Sequence, residues 1–72
     1  MKLSNVDKLA ASVAMLRGNS FTRANATMFP FGSASEYCVV QMVGPADKCK
    51  RTTTTSWIEA LQIFEEYAGD AG

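Results

Sequence analysis

The residues able to do chemistry are few in this 72-residue chain, and the two cysteines are the first to consider. Cys38 and Cys49 stand eleven residues apart, and the chain has no histidine. A structural zinc ion needs four nitrogen or sulfur ligands at close spacing. The absence of histidine also excludes a histidine-based catalytic triad. We therefore expect no metal site, no cofactor and no disulfide.

Acid–base and nucleophilic catalysis have equally little support in the sequence. The adjacent carboxylates Glu65 and Glu66 point about 100° apart on a helix, so they cannot act as a pair on one substrate. No glycine-rich dinucleotide motif or Walker motif is present. Nothing in the sequence places a base beside a serine or cysteine nucleophile. We therefore expect that the protein is not an enzyme.

The basic residues are the candidates for contacts with phosphate groups. The net charge is zero, but residues 1–55 carry a net charge of +4 and residues 56–72 a net charge of −4. Part of the segment 14–25 has the spacing of a helix-turn-helix motif, with residues 37–54 as a wing. A small DNA- or RNA-binding regulator is therefore the alternative functional hypothesis. Its candidate nucleic-acid contacts are Arg17, Arg23, Lys48, Lys50 and Arg51.

Large apolar side chains next to a flexible segment are the candidates for a protein interface. The apolar residues 28–31 precede the loop sequence Gly-Ser-Ala-Ser at 32–35. Aromatic and methionine side chains are favoured at interface centres. The first hypothesis is therefore a small non-enzymatic protein that binds a protein partner, and the alternative is that the two phenylalanines complete the core. The candidate partner-binding residues are Met15, Met28, Phe29 and Phe31.

The size of the chain and its lack of a catalytic set are typical of accessory or inhibitor proteins of phages and mobile genetic elements. A homodimer formed through a wide apolar face of the last helix is a further expectation. No run approaches the ~20 apolar residues that a membrane-spanning helix needs. The N-terminus lacks the apolar run of a signal peptide. We therefore expect a cytoplasmic protein with no membrane partner.

Two helices, one at each end of the chain, are predicted to position these residues. The first covers about residues 5–17, with Ser4 as its N-cap and Gly18 as its C-cap. Its predicted buried face consists of Val6, Leu9, Ala10, Val13 and Leu16, with Met15 exposed on the far side. The last helix begins after Ser56 and ends at Gly69. Its predicted apolar stripe consists of Trp57, Ala60, Leu61, Phe64, Tyr67 and Ala68.

The segment between the helices predicts β structure. Residues 37–43 and 48–55 form a hairpin around a turn at 44–47, and this register places Cys38 opposite Thr53, far from Cys49. Residues 19–35 fit either a strand or a short helix. The sequence thus predicts a single compact α+β domain over residues 1–72, frayed at 69–72, with the order α-β-β-β-α or α-α-β-β-α. The predicted core consists of Leu9, Val13, Leu16, Val40, Met42, Leu61 and Phe64.

Overall fold

The protein folds as two helices against one four-stranded sheet. The structure, a computed structural model, describes residues 2–32, 36–42 and 49–69. All strand pairs are antiparallel, and the strand order is β1-β2-β3-β4. This confirms the α+β class with a helix at each end. The elements are α1 (Asn5–Leu16), β1 (Phe21–Arg23), β2 (Ala26–Phe31), β3 (Glu36–Gln41), β4 (Lys50–Thr54) and α2 (Trp57–Gly69).

The fourth strand arises because residues 21–31 form a hairpin of their own. β1 pairs with the first half of β2, from Phe21 opposite Met28 to Arg23 opposite Ala26. The helix-turn-helix interpretation is therefore wrong, since the segment that would supply the recognition helix is a pair of strands. The apolar segment predicted beside a loop is the second half of β2. Pro30 is tolerated there because β1 has already ended. Proline has no backbone N–H, and at this position no residue of β1 lies opposite to accept a hydrogen bond from one.

The predicted helix ends are confirmed. In α1, the Asp7 N–H donates to Ser4 Oγ (3.1 Å) and the Ser4 N–H donates to the Asp7 carboxylate (3.5 Å). Gly18 follows with a φ of 72°, the left-handed conformation that glycine adopts without strain. In α2, the Glu59 N–H donates to Ser56 Oγ (3.2 Å). Local capping chemistry thus fixes where both helices begin.

The face of α1 that packs on the sheet is nearly opposite to the predicted one, and Ala10 is the one predicted residue that packs against the core. Ala11 is fully buried, while Ala10, Ala14 and Met15 pack against the core. The prediction that Met15 is exposed is therefore wrong. The helix lies over strands whose inward side chains are bulky, and small alanines allow its backbone to approach them closely. The large residues of α1 are consequently exposed: Val6, Leu9, Val13 and Leu16.

The core lies between the helices and the inward side chains of the sheet. Phe64 of α2 is fully buried, as predicted, and its ring centroid lies 5.3 Å from that of Phe21. Leu61 packs against the core but is partly exposed. Met42 is exposed and Val40 is half-buried on the other side of β3, so the core prediction is wrong for both. The buried cluster consists of Leu3, Ala11, Phe21, Ala26, Met28, Val39, Ala60, Phe64 and Ala68.

Polar contacts tie α2 to the rest of the fold. The buried Gln41 side chain donates from Nε2 to the Tyr67 carbonyl oxygen (3.0 Å) in the last turn of the helix. Carbonyl groups in that turn have no intrahelical partner, so this bond satisfies two groups at once. The hydroxyl of Tyr67 lies 2.6 Å from that of Thr52. The apolar face of α2 packs on its own sheet through Ala60, Phe64 and Ala68, while Ile58 is exposed. A homodimer through this face stays a prediction.

The register of the β3–β4 hairpin agrees with the predicted one. Cys38 lies opposite Thr53, and neither Cys38 nor Cys49 forms a disulfide. The predicted turn at 44–47 lies outside the described residues, as do Val43 and Lys48. Residues 70–72, which the sequence predicts to be frayed, also lie outside the described residues.

Candidate functional site

Both helices pack on the same face of the sheet. Alternate strand residues point toward them, including Phe21, Met28 and Val39, and these share one buried cluster with residues of α1 and α2. The intervening strand residues point the other way, where neither helix covers them. We call this side the open sheet face. Its residues are Thr22, Thr27, Phe29, Phe31, Glu36, Cys38, Val40, Arg51 and Thr53, with Met42 directly after β3.

An apolar band crosses the middle of the open sheet face. Phe29 lies opposite Cys38 in the β2–β3 pairing, and Phe31 lies two residues further along β2. Phe31 is 49% exposed and Met42 is 43% exposed, while Phe29 and Val40 are half-buried. The band therefore presents two aromatic rings and two aliphatic side chains on one surface.

Hydroxyl, acidic and basic groups border this band, and Glu36 lies directly opposite Phe31. The hydroxyls of Thr22 and Thr27 lie 2.9 Å apart on the β1 side. Arg51 lies opposite Val40 on the β4 side and is exposed. The open sheet face thus has an apolar centre and a polar rim, which is the general organisation of protein interfaces.

Cys38 lies at the centre of the open sheet face but is only 1% exposed. Burial raises the pKa of its thiol, and the positive charge of Arg51 opposes this shift in part. The thiolate is the nucleophilic form of cysteine, so a raised pKa keeps the group inert at neutral pH. Cys38 therefore acts as a small apolar residue beneath the band.

The structure brings together two of the four predicted partner-binding residues. Phe29 and Phe31 share the open sheet face, whereas Met28 points to the opposite side and is fully buried. Met28 was predicted to bind a partner, but it belongs to the core and lies away from the candidate surface. Met15 also lies on the helix side, where it lines a cleft of about 330 Å³ with Trp57.

Val40 and Met42 are site residues that the sequence analysis missed. Both alternate with Cys38 along the chain, so the three side chains lie on one side of β3. The sequence analysis assigned Val40 and Met42 to the core, which was the wrong side of the strand. The neighbouring Val39 and Gln41 face the helices instead, and both are buried.

The predicted nucleic-acid contacts are dispersed over the molecule. Arg51 lies on the open sheet face, whereas the alternation of β4 turns Lys50 toward the opposite side. Arg17 lies at the end of α1. Arg23 stacks on the ring of Phe21, with 4.4 Å between its Cζ and the ring centroid, and its Nε lies 3.4 Å from the Asp7 carboxylate. Lys48 lies outside the described residues. Arg51 is therefore the one predicted contact among the described residues that lies on the open sheet face.

Other kinds of site find no support in the described part of the chain. It contains no group of three or more His, Cys, Asp or Glu side chains arranged to hold a metal ion. None of its helices combines the length and the apolar character needed to cross a membrane. Comparisons with protein-family models, curated proteins and solved structures find no match to this chain.

Proposed function

We propose that the protein is a non-enzymatic binding domain that holds a protein partner on its open sheet face. One observation carries the proposal: the two helices cover a single face of the sheet, and Phe29 and Phe31 lie on the other. Contiguous apolar side chains left in water are typical of interaction surfaces. An accessory or inhibitory role of the phage type is compatible with such a domain and stays a prediction.

The chemistry of the band indicates how a partner would bind. Phe31 retains about half of its surface in water, so an apolar pocket on the partner gains stability by covering it. Phe29, Val40 and Met42 extend the same apolar surface. Arg51 at the rim favours a carboxylate on the partner, and such a rim charge mainly speeds association. Phe31 is therefore the expected hot spot.

Phe31→Ser tests the proposal against Ile58→Ser as a matched control. Ile58 is also a large exposed apolar residue, but it lies on α2, away from the open sheet face. Partners captured from the native host by the wild-type chain are purified and titrated against the three proteins by calorimetry. We expect Phe31→Ser to weaken binding at least about 10-fold, since hot-spot truncation costs about 2 kcal/mol or more. We expect Ile58→Ser to bind like the wild type.

Circular dichroism of both variants establishes that they are folded. A folded Phe31→Ser variant that binds with full affinity contradicts the proposal. Equal losses for Phe31→Ser and Ile58→Ser also contradict it, because they indicate nonspecific adhesion of apolar surface.

Nucleic-acid binding is the second candidate function, and one observation favours it. Arg51 shares the open sheet face with Phe29 and Phe31, and aromatic rings beside a cation suit stacking of unpaired bases. The dispersion of Arg17, Arg23 and Lys50 and the zero net charge favour the protein partner instead. The two functions respond differently to Arg51→Gln. Oligonucleotide binding that falls steeply with salt and is weakened by Arg51→Gln would favour the second candidate.

A further inference from the structure

The outward face of α1 carries a second apolar surface, on the side of the molecule opposite the open sheet face. Its side chains are Val6, Leu9, Val13 and Leu16, which are 76%, 66%, 39% and 85% exposed. They project from the side of the helix opposite Ala11, which is buried against the sheet. We call these four residues the α1 stripe.

The spacing of the α1 stripe is that of a coiled-coil seam. Its residues are separated by three, four and three positions, which places them at a, d, a and d of two successive heptads. Valine occupies both a positions and leucine both d positions, so all four positions of the seam are apolar, as packing against a second helix requires. This order is unnecessary for packing α1 on its own sheet, since the alanine face does that. The seam therefore has the form expected for a second helix.

We propose that the α1 stripe is the interface of a two-fold homodimer, in which α1 packs antiparallel against α1 of a second copy. A seam of alternating Val and Leu is self-complementary under this symmetry. Val6 then meets Leu16 of the second copy, and Leu9 meets Val13 of the second copy. An isologous contact of this kind closes at two chains.

The charges around the α1 stripe are compatible with self-pairing. Asn5 and Ser12 flank it on one side, and Ala10 and Arg17 flank it on the other. Arg17 is the only charge among these flanking positions. Antiparallel pairing places the two copies of Arg17 at opposite ends of the seam, about 18 Å apart for a 12-residue helix. It also sets the two helix dipoles in opposite directions.

The available area predicts a weak dimer. Three residues of the α1 stripe, Val6, Leu9 and Val13, line an open groove of about 500 Å³ together with Ala14, Asn19 and Ser20. Leu16 instead lines the cleft that contains Met15 and Trp57. A standard interface buries about 800 Å² on each partner. Two heptads of one helix offer roughly half of that area, which corresponds to a weak interface. We therefore expect a weak dimer that dissociates on dilution to low micromolar concentration.

This inference is independent of the proposed function. The α1 stripe and the open sheet face lie on opposite sides of the molecule, so the dimer leaves both open sheet faces accessible. Substitutions in one surface leave the other intact, and each proposal can therefore fail alone.

Sedimentation equilibrium between about 10 μM and 1 mM tests the dimer with three proteins. These are the wild type, the double variant Leu9→Gln/Leu16→Gln, and the control Ile58→Gln, which removes an exposed apolar residue of α2. We expect the mass of the wild type and of the control to rise from 7.8 kDa toward twice that value. We expect the double variant to remain monomeric, with at least about a 10-fold weaker association.

A wild-type chain that is monomeric at 1 mM overturns the proposal and leaves a helix of another protein as the occupant of the seam. A folded double variant that dimerises like the wild type, or a control that does not dimerise, overturns it as well. A dilution series of amide NMR spectra on the wild type needs no variant. We expect the concentration-dependent shifts to be confined to residues 5–17 and their groove, and shifts confined to the sheet contradict the proposal.

Discussion

Among the residues that the structure describes, Ala24 is the one non-glycine residue with a positive φ. It lies in the turn between β1 and β2 with a φ of 52°, and it is exposed. A Cβ atom makes this region unfavourable by roughly 1 to 2 kcal/mol, whereas glycine enters it freely. The hairpin thus folds in spite of its turn residue, through its pairing with β3.

Ala24→Gly is therefore expected to stabilise the protein. The relief of strain exceeds the extra chain entropy that glycine loses, so the free energy of unfolding should rise by about 0.5 to 1 kcal/mol. Urea unfolding measures this change. Ala24→Val serves as the reverse control and should destabilise, because a branched side chain tolerates positive φ poorly. An unchanged or lowered stability of Ala24→Gly would show that the turn is not strained.

Single-residue predictions from the sequence succeeded where the determinants were local. The turn signal at 44–47 sufficed to place Cys38 opposite Thr53, and the pairing confirms it. Gln41 could not be found in this way. Its burial depends on the Tyr67 carbonyl, 26 residues further along the chain, and no local pattern contains that contact.

At the scale of elements, α1 shows the limit of hydrophobic periodicity. The caps at Ser4 and Gly18 determined its extent, and the pattern correctly indicated a helix. The helix has two faces that can pack, one of small alanines and one of valines and leucines. The choice between them depends on the space left by Phe21 and Phe64, which belongs to the tertiary structure. The sequence therefore predicted the helix α1 correctly, but it predicted the wrong face of that helix to pack on the sheet.

Ala11→Leu and Leu9→Gln distinguish the two orientations of α1. Ala11 has no exposed surface, so the larger side chain should overpack the core and lower the free energy of unfolding by about 1 to 3 kcal/mol. Leu9→Gln should change it by about 0.5 kcal/mol or less, as surface substitutions do. Urea unfolding at low micromolar concentration keeps the dimer equilibrium out of the comparison. A loss of several kcal/mol for Leu9→Gln would mean that the Val/Leu face is buried.

At the scale of the whole molecule, the small size of the chain explains why apolar surface remains exposed. The shortest dimension is 18 Å, which accommodates one layer of helices on one sheet. Both helices are used on the same face, so the other face of the sheet and the outer side of α1 have no cover from a helix. The α+β class followed from the element pattern. The face of the sheet that the helices cover could not be predicted, because strand alternation identifies two faces without showing which one is covered.

The central claim is that Phe31 belongs to a binding surface and Phe64 to the core, and equilibrium urea unfolding of Phe31→Ser and Phe64→Ala tests it most directly. Phe64 is fully buried, and its truncation should cost about 3 to 5 kcal/mol. Phe31 is half exposed, and its replacement should cost about 1 kcal/mol or less. This difference is the result that the account predicts. A Phe31→Ser variant destabilised as much as Phe64→Ala would contradict it, because the open sheet face would then be part of the core.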